Sequence, residues 1–385
     1  MTSADSALKE FYLGAVAEQL NTAVNPLLAR IRQSTADVWG KEVRRLAQYG
    51  VNGGVGAGTE EGDLPASGGN NYEQFVTTLK NLYGTVEISD KAVRASENSA
   101  GAFVDLLNAE MEGLVRASAF NFGRMLFGDG SGVLCGVSSA SGTEVTVDSV
   151  QNLIEGMTVD ILSSAGAAIA GAGGRRILSI DREEKTVTLS GAALSGVTEG
   201  CLVCVQGSYG LELTGLGAIF QDTGALYGLD RSTHKWLIPH MEEKVGTITE
   251  EKLQAALDKL EETAGSRVNF IVCSWGVKRA LASALASSRI PVESEVLAGG
   301  YRAITYNGIP VVADRFCPSG TMYLLNTDDF CLHQLCDWKW LEGDDGRVLR
   351  QVPGKPLYTA TLVKYADLIC TRPCGQAMLS GITEG

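Results

Sequence analysis

A chain of 385 residues, 45% apolar and 20% charged, is long enough for two or three domains and has the composition of an ordinary globular protein. Its 45 acidic against 32 basic residues leave a net charge of −13, which argues against a broad electrostatic grip on nucleic acid or on an anionic membrane. No apolar run approaches bilayer length, MTSADSALKEFYLG lacks a basic and then apolar leader, and nine cysteines in so long a chain read as free thiols, so the expectation is a cytosolic protein without a disulfide framework.

In chain order, residues 1 to about 36 read as helix, with Phe11, Val16, Leu20, Val24, Leu27, Leu28 and Ile31 at helical intervals and Pro26 as a break. The pattern weakens from Val38 to Tyr49. Gly50 to Asn71 then holds eight glycines in 22 residues, a composition that cannot pack a core and reads as a long loop. Such loops between ordered segments are uncommon unless they have a function. Tyr72 to Ser89, rich in β-branched and aromatic residues, reads as one long strand. Together these predict an extended two-stranded arm with a glycine-rich tip. Two strands alone are marginally stable, so the arm is expected to lie on another subunit.

Ser99 to Phe127 is the strongest helical signal. Phe103, Leu106, Leu107, Met111, Leu114, Ala117, Phe122 and Met125 fall on one stripe, with Asp105, Glu112 and Arg116 opposite, Ser99 as a candidate cap and Gly-Asp-Gly-Ser-Gly as a stop. About 28 residues at about 1.5 Å each make a rod of about 40 Å. Glu110, Ser118 and Asn121 interrupt the stripe, and Gly113 and Gly123 each cost about 1 kcal/mol relative to Ala. Between Ser138 and Gly210 short β-rich runs separated by Gly/Ser/Ala turns predict a small inserted barrel or sandwich, with a hairpin turning at Asp181–Glu184 into Thr186–Leu189. Cys201 and Cys204 have metal-ligand spacing, but on the strand GCLVCVQG they point to opposite faces and no second pair supports a zinc site.

Residues 211 to 244 read as a linker. Beyond it Thr249 caps a helix over Glu250–Ala264, VNFIVCS reads as a buried strand, Trp275–Ala286 as a second helix, and IPVVADRF and TMYLLN as further strands, an α/β arrangement. The tail from Val348 to Ile382 is mostly strand and is expected to pair back with the extended arm near the long helix. His234, His240 and His333 lie in three unrelated contexts. The acidic pairs Asp328/Asp329 and Asp344/Asp345 sit in turn-like stretches, and no nucleophile-elbow, Walker, Rossmann or EF-hand pattern occurs. No catalytic residue, metal or cofactor is therefore assigned.

This order of elements resembles the major capsid proteins of tailed double-stranded-DNA bacteriophages, the Hong Kong ninety-seven-like fold. The likeness is carried by TEEGDLPASGGNNYEQFVTTLKNLYGTVEISDKAVRAS, LFGDGSG, YGLDRSTHKWLIP, and YNGIPVVADRFCPSGTMYLLN with the strand-rich tail. It implies an α+β fold with an N-terminal arm (1–37), an extended loop (38–90), a spine helix within 91–137, an inserted β-rich domain (138–210), a linker with peripheral strands (211–244), an axial domain (245–315) and C-terminal strands (316–385). The function implied is a coat subunit that self-assembles, as hexamers and pentamers, into an icosahedral shell enclosing DNA without sequence-specific binding. Glu60, Asp63, Leu64, Tyr72 and Phe75 are the expected inter-subunit contacts of the loop, and Phe103, Leu107, Glu110, Leu114 and Phe122 mark the spine helix.

Two departures from that family qualify the picture. Residues 51–71 contain no lysine, so the covalent weld some members form near the loop tip is not expected. No long charged segment precedes the arm, which implies a separate scaffolding protein beside a portal and a possible decoration protein; no membrane contact is implied. The alternatives are an encapsulin-like nanocompartment shell and a cytosolic α/β enzyme with a β-domain insertion, using Cys273 or Asp314 in a cleft.

Overall fold

The computed structural model describes residues 25–91, 100–287, 294–296, 302–343 and 346–385, and within the long helix the side chains from Glu110 onward. The helix expected over residues 1–24, the Asp344/Asp345 pair and the side chains of Phe103, Leu106 and Leu107 lie outside the described residues.

Where the expected N-terminal helix enters the described chain, it is replaced by a turn. The Asn25 carboxamide accepts from the Leu27 and Leu28 amides, and Pro26 cannot continue a helix, so Leu27, Leu28 and Ile31 are buried from a turn. The chain then enters strand β1 (Arg32–Ser34), followed by β2 (Val38–Trp39), β3 (Glu42–Tyr49), β4 (Asn71–Thr78) and β5 (Lys80–Ser89). The single strand expected over 72–89 is two, because at Leu79 the chain leaves one sheet for another. β2, β3 and β4 form a three-stranded antiparallel arm, whereas β5 pairs over ten residues with the long strand Leu357–Cys370. The tail therefore does pair back beside the arm, at its base. Leu357–Cys370 also pairs with Phe330–Trp340, which carries β1 in parallel at its far edge.

Helix α1 (Ala100–Met125) lies on this sheet. Met111, Val115, Ala119, Phe122 and Met125 are buried, but Ala117 is exposed and Ser118 buried, the reverse of the expected stripe. Around Gly113 there is open space, whereas a Cβ on Gly123 would sit 2.5 Å from the Phe316 ring, so Gly123 is a point of close approach between helix and body.

Immediately after α1 the strands Val133–Ser141, Glu144–Val147, Thr158–Leu162, Arg175–Asp181, Thr186–Leu189 and Leu202–Val205 close into an antiparallel barrel with its own core, including Val145, Val159, Ile161, Ile177, Val187 and Val203. It begins at Val133, ahead of the composition change at Ser138. Residues 211–244 are no mere linker: Leu213, Leu216, Ile219, Phe220, Leu226, Tyr227 and Leu237 are buried in the main core.

The α/β unit is a seven-stranded mixed sheet with His240–Glu242 at one edge and, beside it, Ala377–Leu379 from much later in the chain. Phe270 and Val272 face the main core while Ile271 and Cys273 face the helices Glu250–Ala264 and Trp275–Ser287. A strand covered on both faces is why FIVC reads as an unbroken apolar run. Thr249 caps the first of these helices, its hydroxyl accepting from the Lys252 amide.

Candidate assembly surface

The arm has two unlike faces because its strands alternate. On the inner face Val43, Ala47 and Phe75 are buried against the body, Tyr49 stacks on Trp236 at 5.1 Å, and Phe75 packs on both Tyr227 and Trp236. Phe75 is therefore no outward contact; it belongs to the root that holds the arm. Polar bonds reinforce the root: the Val76 amide donates to the Tyr227 carbonyl, and the Thr77 hydroxyl donates to Asp367 Oδ2 at 2.6 Å.

On the outer face Leu46 is 66% and Tyr72 51% exposed, and Trp39 at the end of β2 is 71% exposed. Beyond the strands, every residue of 50–70 is exposed except Gly54, which is half-buried. Val51, Val55 and Leu64 stand 82%, 87% and 90% in solvent, and Glu60 and Asp63 are exposed beside them. A monomeric protein rarely gathers this much bare apolar side chain on one projection. The loop nevertheless has internal order. Asn52 accepts from the Gly54 amide, Asn70 donates to Tyr72 Oη, and a Cβ on Gly68 would lie 2.2 Å from the Gly54 nitrogen, so two glycines let the limbs pinch together.

On α1, Glu110 is exposed, Leu114 half-buried and Phe122 fully buried, edge-on to Trp338 at 6.0 Å. Lys364, also buried, sets its ammonium 5.3 Å from the Phe122 ring centre and 2.7 Å from Asp337 Oδ1, which fastens the helix to the sheet. Burial lowers the pKa of that lysine and Asp337 offsets the effect. None of these buried partners was visible in the sequence. They lie on strands far apart in the chain, and only the run of apolar residues around Lys364 hinted that its charge is enclosed.

The residues of the enzyme alternative do not line the cavity of about 580 Å³ between β5, α1 and the barrel exit. The Cys273 thiol is wholly buried, donates to the Val312 carbonyl and is pushed up to about 12 by burial. Cys201 is buried in the barrel, Cys204 donates to the Asp160 carbonyl, and no group of three metal-ligating side chains converges among the described residues.

Asp314 is a different case. Its Oδ1 accepts from the Phe316 amide at 2.9 Å, but its equally buried Oδ2 meets no donor among the described residues, and burial raises its pKa to about 6. The folded value lies above the unfolded one, so ionisation opposes folding: the penalty is absent below about pH 4, grows as pH rises to 6 and is then constant. A rise from the usual carboxylate value to about 6 corresponds to about 3 kcal/mol. Asp314→Asn keeps the Oδ1 acceptor without the charge, so it is expected to raise stability at pH 8 by about 1–3 kcal/mol and to change little at pH 4. Thermal melts at the two pH values decide this; an equal shift at both would show that the charge is not the cause.

No protein-family model and no curated protein matches the sequence. Many solved structures resemble the chain over most of its length, among them the following two. One is the capsid asymmetric unit of cyanophage A-1(L), covering 95% of this chain and 92% of that chain with a TM-score of 0.56 and 13% identity. The other is the holo-SrpI encapsulin complex of Synechococcus elongatus PCC 7942, covering 94% and 89% with a TM-score of 0.50 and 11% identity. At such identities the likeness is one of fold. The chain has the α+β architecture of tailed-phage capsid proteins, the Hong Kong ninety-seven-like fold, and an encapsulin is built on it too.

Proposed function

We propose that this chain is the major capsid protein of a tailed double-stranded-DNA bacteriophage, a subunit that closes with its copies into an icosahedral shell. The observation that carries the reading is the arm: a projection rooted firmly in its own body, whose outer face and tip present Trp39, Leu46, Val51, Val55, Leu64 and Tyr72 to solvent. On this fold such a surface is complementary to a neighbouring copy, and repetition of one heterologous contact makes rings that close. The subunit's task is then surface complementarity, with no bond chemistry. The Glu60, Asp63 and Leu64 tip lies across a neighbour, and α1 carries strain between capsomers when the shell expands.

The shell stands in the virion after assembly in the host cytoplasm. A net charge of −13 suits a container that must release its DNA, since a lining that gripped phosphate would retard ejection. A separate scaffolding protein and a portal complete the assembly, and the barrel at 133–205 is the natural platform for a decoration protein. A second reading, an encapsulin-like shell with protein cargo, is favoured by the likeness to the encapsulin complex.

Electron microscopy of the purified full chain tests the proposal. Hollow polyhedra or tubes are expected, whereas small discrete oligomers would remove it. Between the two shell readings, particles from the native source that hold double-stranded DNA support the capsid, and nucleic-acid-free particles loaded with protein support the nanocompartment.

A further inference from the structure

The arm's root carries a titratable group that shell assembly leaves unexplained. His333, on Phe330–Trp340, is fully buried and touches the chain that leads into the arm and the arm's own strand β3. Its Nδ1 lies 3.0 Å from the Ala36 carbonyl, just ahead of β2, and its Nε2 lies 3.3 Å from Nη1 of Arg45 on β3. A carbonyl only accepts and a guanidinium only donates. Both contacts are therefore satisfied by one protonation state, the neutral ring with its proton on Nδ1. Arg45 is held in this position on the inner face of β3, between the buried side chains of Val43 and Ala47.

We propose that His333 is an acid-sensitive latch for the arm: a proton on Nε2 sets an imidazolium against the Arg45 guanidinium, and the docking of β2, β3 and β4 on the body weakens while the body's own sheet stays closed. Other charges surround the ring. Arg32 on β1 adds to the repulsion and Asp37 offsets part of it, while burial, the largest influence, holds the ring's pKa below its usual value. Asp367, directly across from His333 in the neighbouring strand, acts in the opposite sense. It is buried and accepts from the Thr77 and Thr214 hydroxyls and from the Thr214 and Leu368 amides, with Lys80 nearby. Burial raises its pKa, so a proton there favours the docked arm.

For His333 the docked arm binds fewer protons than the free arm. Docking is thus full above about pH 6.5 and weakens as pH falls from there towards the docked value, by up to tenfold per pH unit. Between pH 7 and pH 5 that amounts to at most about 25-fold. The arm loosens without detaching, since Val43, Ala47 and Phe75 remain favourable to bury.

Hydrogen exchange of the full chain, corrected for the intrinsic rate at each pH, reads this directly. A ribbon lifted off its body is marginal by itself, so protection of 42–49 and 71–78 reports docking. The expected result is a loss of protection in those segments of up to about 25-fold on going from pH 7 to pH 5, with 362–370 unchanged. Arg45→Gln keeps a donor for Nε2 without the charge and is expected to flatten the response. His333→Asn should abolish it, and Asp367→Asn should leave the acid loosening in place. Arm protection that is constant from pH 7 to pH 5, an equal loss in 362–370, or an Arg45→Gln chain that loosens as much as the parent overturns the latch. Exchange is read at a concentration where sedimentation shows the full chain unassembled, so contacts between copies do not enter it and the latch and the shell reading fail separately.

Discussion

Removal of residues 52–70 is expected to leave a folded, soluble subunit that forms no closed shells. The folded state has little to lose: apart from half-buried Gly54 the segment is exposed, and its hydrogen bonds run within itself or to Tyr72 beside it. Tyr49 and Asn71 are paired across the arm, so Gly50 and Val51 can close the hairpin as a two-residue turn, and a shorter loop costs less chain entropy to close. The melting temperature should stay within a few degrees of the parent's. Assembly is another matter. Two of the arm's most exposed apolar side chains, Val55 and Leu64, go with the segment, together with Glu60 and Asp63. Sedimentation and negative-stain microscopy should find subunits or capsomers only. Closed particles at the parent's yield would mean that the tip is not the contact on which the shell depends.

Regular elements with a strong period were legible without coordinates. The long helix, the Thr249-capped helix, the FIVC strand and the hairpin around Asp181–Lys185 each announce themselves within a dozen residues, because periodicity, caps and turns are local. The arm was legible by a different route, since eight glycines between two extended runs can only be a loop. What failed was decided by partners distant in sequence. Ala117 and Ser118 exchange places because β5 approaches α1 closely at Gly84, where a Cβ would come within 3.0 Å of the Ser118 hydroxyl. Residues 32–34 form a strand, not helix, because a free edge of Phe330–Trp340 is there to pair with. Phe75 points inward because Tyr227 and Trp236, from a stretch that reads as a linker, supply its pocket.

The same long-range logic hides the polar contacts that fix the site. Thr77 with Asp367 joins groups 290 residues apart, and nothing in TLVKYADLIC shows that Asp367 accepts bonds at the root of an arm. Buried charge in a sequence of this kind is recognisable only as an oddity, a Lys or Asp inside an apolar run, and the oddity does not name its partner. For the proposed function this matters less than for an enzyme, since the exposed tip could be read from composition whereas its anchorage could not.

Glu212→Ala is expected to be the most destabilising of the single substitutions considered, by about 3–5 kcal/mol. Glu212, where the chain returns from the barrel, meets Arg124 in the last turn of α1 through two parallel bonds, Nη1 to Oε2 at 2.8 Å and Nη2 to Oε1 at 2.6 Å. Both side chains are almost entirely buried, at 4% and 3% exposure. Alanine leaves the guanidinium enclosed with, among the described residues, only a long contact to Asn121, and its Nε has no partner among them either. The loss is therefore dominated by an uncompensated charge rather than by the value of the pair itself. That distinction is measurable. Glu212→Gln retains one acceptor and should fall between parent and alanine, whereas Arg124→Met combined with Glu212→Leu removes both charges and should recover most of the stability. Urea unfolding followed by circular dichroism and by tryptophan fluorescence reads all three. A double variant as unstable as Glu212→Ala would show that the bidentate geometry itself, and not the avoidance of a stranded charge, holds the barrel to the helix.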